Sequence, residues 1–384
     1  MSICYFDNNA TTRVAPEALA AMLPWFSESF GNPSSLHTLG ESAADAVAAA
    51  RASIARLIGA HSPEQIVFTS GGTESDNAAI RAALARFPNR RRIVVSAVEH
   101  EAVLAPMAAL EASGYEIIRV APTRDGHLDG AGFAARIDER CALAALMWAN
   151  NETGAVHDVA AVALHCEQQG VPLHVDAVQV VGKRALGVST LPIDTLAISA
   201  HKLHGPKGIG ALYVRDSASF EPFLRGGGQE RERRAGTENV PGIVGFARAA
   251  ELAARWIADG GPRSLARLRD SLESRIVERV PHMRVHAGAV ERTCNTSNFG
   301  FDGVSGEALV MLLSEYGICA SAGSACASSR HAPSHVLLAM GLDERAASSS
   351  LRLSLSRETT EADVARAAEA VESAVSSLRA LGPA

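Results

Sequence analysis

The sequence has no apolar run long enough to span a bilayer. Its first residues, "MSICYFDNNATT", lack the basic region and apolar core of a secretion signal. A cytoplasmic location is therefore expected. The cysteines Cys4, Cys141, Cys166, Cys294, Cys319 and Cys326 form no CxxC pair, and no His/Cys spacing reads as a structural zinc site. Six cysteines in 384 residues make no disulfide scaffold, so reduced thiols are expected. The phosphate-binding pattern GxxxxGK[ST] is absent, and so are internal repeats. Net charge is −6, from 36 basic and 42 acidic residues, which argues against nucleic-acid or membrane binding driven by overall charge. No metal site is expected.

What the sequence does have is alternation. "QIVFTS", "RRIVVSAVEH", "YEIIRVAP", "ALAALMWANNETG", "PLHVDAVQ", "DTLAISAHK" and "GIGALYVR" read as short buried strands. Helical stretches separate them, one of which, "DVAAVALHCEQQG", stops at Gly170. The pattern predicts an α/β fold, with a mostly parallel seven-stranded sheet between helices. A long Ala/Arg-rich helical stretch, broken at "DGGP", leads to a smaller α+β region. With 384 residues, two domains are expected: a large one over 15–255, and a small one from 1–14 and 256–384 that carries Cys326.

Ligands of open α/β sheets bind at the carboxyl ends of strands. Here those ends carry chemistry. "TSGGTES" places Gly71 and Gly72 before a helix start, and Thr73 adds a hydroxyl, which makes a phosphate cradle. Alone, such a turn is most often only a turn. Other strand ends present His100, Asn150 and Asn151, and Asp176. A lone His or Asp in such a place is more often a cap or a satisfied polar group, but several in one sheet are harder to dismiss. In "ISAHKLHGPKG", Lys202 follows a buried strand, where lost solvation favours the neutral amine used in Schiff-base chemistry. Ser199 and His201 flank it and suit an anion. An amine, a carboxylate, a histidine and a phosphate cradle are what a pyridoxal phosphate site requires. His157, His165 and His204 read as structural or surface groups, and Trp25, Trp148 and Trp256 as packing residues.

The stretches "YFDNNATTRV", "FGNPSSLHTLG", "VFTSGGTESDNAAI", "SAHKLHGPKG", "RGGGQERERRAGTENVPGIVG", "SAGSACASS" and "LRLSLSR" closely resemble those of cysteine desulfurases. These are class V members of the fold-type I pyridoxal phosphate enzymes. The resemblance implies that Lys202 holds the cofactor aldehyde and moves the Cα proton. It implies that Asp176 pairs with the pyridine nitrogen, that Gln179 bonds the phenolic oxygen, and that His100 stacks on the ring as an acid/base. Gly72, Thr73, Ser199 and His201 would hold the phosphate. Thr237 would reach it from the neighbouring subunit, which implies a homodimer. Asn151 and Arg352 would bind the carboxylate of L-cysteine.

Cys326 falls at the family's catalytic cysteine. Its thiolate would attack the substrate sulfur, leaving a persulfide and alanine, and the persulfide would pass to an acceptor such as an iron–sulfur scaffold. The Ser/Ala/Gly-rich surroundings suit a thiol that must travel, and Arg330 and His331 are expected to lower its pKa. There are departures from the family pattern: Ala322 and Ala327 replace hydroxyl residues, and Glu232 and Ser356 replace glycines. The N-terminal stretches look most like the nitrogen-fixation desulfurases. Other readings are an aminotransferase for a small amino acid, which would have no use for Cys326, a desulfurase serving tRNA thiolation or DNA phosphorothioation, and a sulfur-relay scaffold without cofactor.

Overall fold

The computed structural model of the protein describes residues 3–216, 220–323 and 332–382. A two-residue strand, β1 (Cys4–Tyr5), comes first. Seven strands then build one sheet: β2 (Ile66–Thr69), β3 (Arg92–Ser96), β4 (Glu116–Val120), β5 (Cys141–Ala145), β6 (Leu173–Asp176), β7 (Thr195–Ser199) and β8 (Gly210–Val214), in the order β2-β8-β7-β6-β5-β3-β4. The inner strands β5 and β6 are buried along their whole length, as unbroken apolar strands covered on both faces must be.

The sheet is parallel except for β8, which runs against both β2 and β7. The reason is length. Residues 200–209 between β7 and β8 hold one short 3-10 turn, too little chain for a helical crossover, so the chain turns back on itself. As a consequence β2, β3, β5, β6 and β7 end on the same edge, and their C-terminal turns meet there.

The helices start and stop as their ends dictate. Gly170 closes Val159–Gln169 with φ +61°, a left-handed conformation that glycine adopts without a Cβ clash. His100 caps Glu101–Ala112, its ring accepting from the Ala102 N–H. The long helical stretch divides at Gly260 (φ +79°) into Val240–Ala258 and Gly261–Arg279. The division has a packing cause. Ile243, Phe246 and Ala250 belong to the core under the large sheet, whereas Leu265, Leu272 and Ile276 belong to a second core.

That second core lies against β9 (Met283–His286), β10 (Thr296–Phe301) and β12 (Ser350–Ser354), an antiparallel sheet in the order β12-β10-β9. β11 (Ile318–Cys319) pairs in parallel with β1. The helix Glu361–Ala380 covers the second core and starts at a capping box between Thr360 and Asp363. After β1 the chain crosses from one core to the other. Asn8 donates its backbone N–H to the Ser354 carbonyl at 3.3 Å, and Thr12 donates to that of His201 at 2.9 Å. This crossing places Asn9 under the ends of β6 and β7.

Candidate active site

The strand ends enclose a cavity of about 270 Å³. Lys202 enters it from the turn after β7. Its Nζ donates to the carbonyl oxygens of Asn9 at 2.6 Å and Ala10 at 2.8 Å, so the N-terminal crossing segment anchors the amine. Asp176, the last residue of β6, reaches the cavity with its Oδ1 accepting from the Val178 N–H at 2.9 Å. Burial, and then the neighbouring Asp76, push its pKa up to about 6. Asp76 comes from the helix Gly72–Arg86, and its Oδ1 lies 3.0 Å from Nε2 of His174. Burial drives Asp76 up to about 7 and His174 down to about 4. Both shifts favour the uncharged forms, so the contact is a hydrogen bond rather than an ion pair.

Gln179 stands in the turn after β6. Its Nε2 donates to the Asn9 carbonyl at 3.1 Å, and its Oε1 accepts from Lys183 Nζ at 2.9 Å. His100 borders the cavity and accepts the Ala102 N–H on Nδ1 at 3.1 Å. With Nδ1 accepting, the ring presents Nε2 as its donor.

At one end of the cavity Gly72 and Thr73, the first residues of the helix Gly72–Arg86, face Ser199 and His201. A Cβ on Gly72 would meet Val178 Cγ2 at 3.0 Å and Ser199 Cβ at 3.8 Å, so glycine lets the helix start approach this closely. His201 bonds Thr11 through Nδ1 at 3.1 Å, and burial, followed by Lys202 and Lys207, lowers its pKa to about 4. It is neutral at pH 7, and free backbone N–H groups at the helix start supply the attraction for an anion. Across the cavity, the guanidinium of Arg352 comes from β12. Its Nη1 donates to the Asn151 carbonyl at 3.1 Å.

The structure thus brings together ten sequence-predicted residues: Gly72, Thr73, His100, Asn151, Asp176, Gln179, Ser199, His201, Lys202 and Arg352. Thr237 is exposed and does not line this cavity. Cys326, Ala327, Arg330 and His331 lie outside the described residues. The chain on either side of them approaches the site. Ser334 donates to Glu152 Oε2 at 2.5 Å, a Cβ on Gly323 would lie 3.1 Å from the same oxygen, and Glu152 and His335 line the cavity.

Sequence reasoning missed four groups. Asn9, Lys183, Glu152 and the Asp76–His174 pair surround or underlie the predicted residues. Gln179 and Lys183 meet across a run of turns in which Gly182 has φ +80°, so their spacing of four is not a helical one and gave no usable signal. His157, His165 and His204 are structural. His165 and His204 bond the carbonyls of Ile137 and Arg13, and His157 is buried. Trp25 and Trp148 pack against the first core and Trp256 against the second.

Residues 4–367 match the model of the aminotransferase class-V family. The chain belongs to that family, whose cysteine desulfurases are pyridoxal-phosphate-dependent enzymes. Within it, the chain is 51% identical to a cysteine desulfurase of Cereibacter sphaeroides, over 100% of this chain and 98% of that protein. A solved structure described as a NifS-like protein superposes with a TM-score of 0.90 at 36% identity, covering 97% of this chain and 99% of that one. A second, SspA in complex with cysteine, superposes with a TM-score of 0.81 at 35% identity, covering 91% and 98%.

Proposed function

We propose that the protein converts L-cysteine to L-alanine and carries the sulfur as a persulfide on Cys326. The observation that carries this reading is the meeting of Lys202, Asp176, Gln179, His100 and Arg352 in one cavity with a helix start at its far end. These residues fit pyridoxal phosphate. The buried Asp176 carboxyl, pushed up to about 6, suits a cationic pyridinium partner, and the glycine start of the helix Gly72–Arg86 suits a phosphate.

When bound, the cofactor supplies an electron sink for the substrate Cα carbanion. Lys202 would hold the aldehyde and move the Cα proton. Asp176 would pair with the ring nitrogen, Gln179 would donate to the phenolic oxygen, and His100 would lie against the ring and exchange a proton through Nε2. Thr73, Ser199 and His201 would join the Gly72 N–H around the phosphate. Arg352 and Asn151 orient the substrate carboxylate, which suits a planar guanidinium. The Cys326 thiolate attacks the substrate sulfur and forms an S–S bond. The C–S bond breaks, its electron pair stays on the departing carbon, and a proton added there completes alanine. A transaminase acting on a small amino acid would need no such thiol.

The acceptor we favour is an iron–sulfur scaffold protein of the nitrogen-fixation type, the kind of desulfurase that the N-terminal stretches most resemble. We take the working unit to be a homodimer in which Thr237 completes the partner's phosphate site. Thr237 is exposed, and Leu19 on the helix Pro16–Met22, Phe26 on the helix Pro24–Ser27 and Leu23 between them expose apolar surface that a second copy would cover. No described helix is long and apolar enough to cross a membrane, and we place the enzyme in the cytoplasm. We divide the chain at 14/15 and 255/256, a reading supported by the two separate cores.

The test is release of sulfide and alanine from L-cysteine under a reducing thiol, with Cys326→Ala beside the wild type. Loss of both products in that variant, with the cofactor still bound, is expected. Full desulfurase activity in Cys326→Ala would overturn the reading.

A further inference from the structure

We propose that Lys183 is a positioning residue that fixes the orientation of the Gln179 side-chain amide and so directs its N–H donor toward the cofactor's phenolic oxygen. This rests on the role proposed above for Gln179. The amide of glutamine is nearly symmetric in shape, and nothing in its own geometry decides which end faces the cavity. A phenolate oxygen only accepts hydrogen bonds, so an amide presented oxygen-first would repel it.

The structure contains the group that decides. Lys183 Nζ lies 2.9 Å from Gln179 Oε1 and 3.4 Å from Asn9 Oδ1. An ammonium has three donors and no acceptor, so it holds an oxygen beside it and excludes the NH₂ end. With Oε1 held, Nε2 takes the opposite side. One of its hydrogens goes to the Asn9 carbonyl at 3.1 Å, and the other is free to serve the cavity that Gln179 lines.

Lys183 does not line that cavity itself. It lines a smaller pocket behind it, together with Lys202 and Asn295. It therefore acts through Gln179 and touches neither substrate nor cofactor. The location is costly for a lysine. Burial lowers its pKa to about 7, Cys294 opposes the shift, and Lys202 and Arg352 add to it, so the ammonium that fixes the amide is complete below that value. A surface-seeking cation placed there in mere passing would be hard to account for.

The test reads the absorbance of the bound cofactor against pH in the holoenzyme. A hydrogen bond to the charged form of a group lowers its pKa, so losing the Gln179 donor raises the titration midpoint. An upward shift of about one unit, a tenfold change in the equilibrium, is expected for Q179A and for K183M. The double variant Q179A/K183M is expected to titrate like Q179A alone, because Lys183 has then lost the group it acts through. Melting curves establish that each variant is folded, and K183A repeats the test if the methionine is not accommodated.

Three results would overturn the inference, and they are distinct. An unshifted K183M beside a shifted Q179A removes the role of Lys183 and leaves that of Gln179. Additive shifts in the double variant make Lys183 a through-space charge and not a positioning group. An unshifted Q179A removes the underlying reading of Gln179, and this inference with it.

Discussion

Arg352 Nη2 donates to the Asp7 carboxylate at 2.7 Å, so this cavity-lining cation is held by an acid of the N-terminal crossing segment. Arg352 is 1% exposed, its Nη1 is committed to the Asn151 carbonyl, and its Nε has no partner among the described residues. A buried guanidinium needs such a counter-charge. The spread of its donors lets one group bind Asp7 and Asn151 together, and it is the spread that the proposed substrate carboxylate would use.

The first prediction concerns that spread. Lysine in Arg352→Lys keeps the charge but offers a point cation in place of a fork. The KM for L-cysteine is expected to rise about 10- to 100-fold, the worth of one or two charge-assisted hydrogen bonds. Cofactor absorbance should stay as in the wild type. Steady-state kinetics beside a spectrum check it, and an unchanged KM would remove Arg352 from the substrate site.

Asn9 carries the second. It is 2% exposed. Its Nδ2 donates to the Asn151 carbonyl at 3.0 Å and Thr296 Oγ1 at 2.8 Å, and its Oδ1 accepts from Asn295 Nδ2 at 2.9 Å. Asn9→Ala strips these bonds but leaves the backbone oxygen that anchors Lys202. Stability should fall by about 2–3 kcal/mol, the cost of orphaning buried polar groups, while the lysine still binds cofactor. Urea denaturation and a borohydride-reduced adduct measure the two effects separately.

The third is a gain. Glu230, Arg231 and Glu232 have φ of +49°, +57° and +66°, a left-handed run that side chains disfavour. Glu230 has compensation, since Arg51 grips its carboxylate at 2.6 and 2.7 Å. Glu232 is exposed. Glu232→Gly is expected to stabilise the protein by about 1 kcal/mol. A lower melting temperature would contradict this account.

The fourth concerns acid. His157 is 3% exposed, neither ring nitrogen has a partner among the described residues, and burial, helped by His127, lowers its pKa from 6.5 to about 4. A pKa lowered on folding means that the unfolded chain binds the proton more readily. The contribution to stability is complete above pH 6.5 and is lost as pH falls toward 4. His157→Leu should therefore match or exceed the wild type at pH 7 and lose less stability on acidification, by on the order of 2–3 kcal/mol at pH 4. Denaturation midpoints at the two pH values check it.

Much of the candidate site was legible because several strands are closely followed by functional residues. Asp176 ends β6, Gly72, His100 and Lys202 lie within four residues of the ends of β2, β3 and β7, and the parallel topology gathers those ends. The reversal of β8 was not legible, because the residues of "GIGALYVR" alternate no differently in either direction. It follows from the short link before the strand. Asn9 and the Asp76–His174 pair were hidden for another reason. Their partners lie far off in sequence, 287 positions for Asn9 and Thr296 and 98 for the pair, and no local pattern records such meetings. Lys183 was hidden as well, because it meets Gln179 across irregular turns and its burial leaves no local pattern.

The N-terminal crossing segment also ties the two cores into one mechanical unit. Asp7 and Asn8 bond Arg352 and Ser354, more than three hundred positions later, and Thr11 and Thr12 bond His201 after β7. Between these two sets of ties lie the carbonyls of Asn9 and Ala10 that receive Lys202. The seat of the lysine is therefore strung between both cores, and loosening either one slackens it.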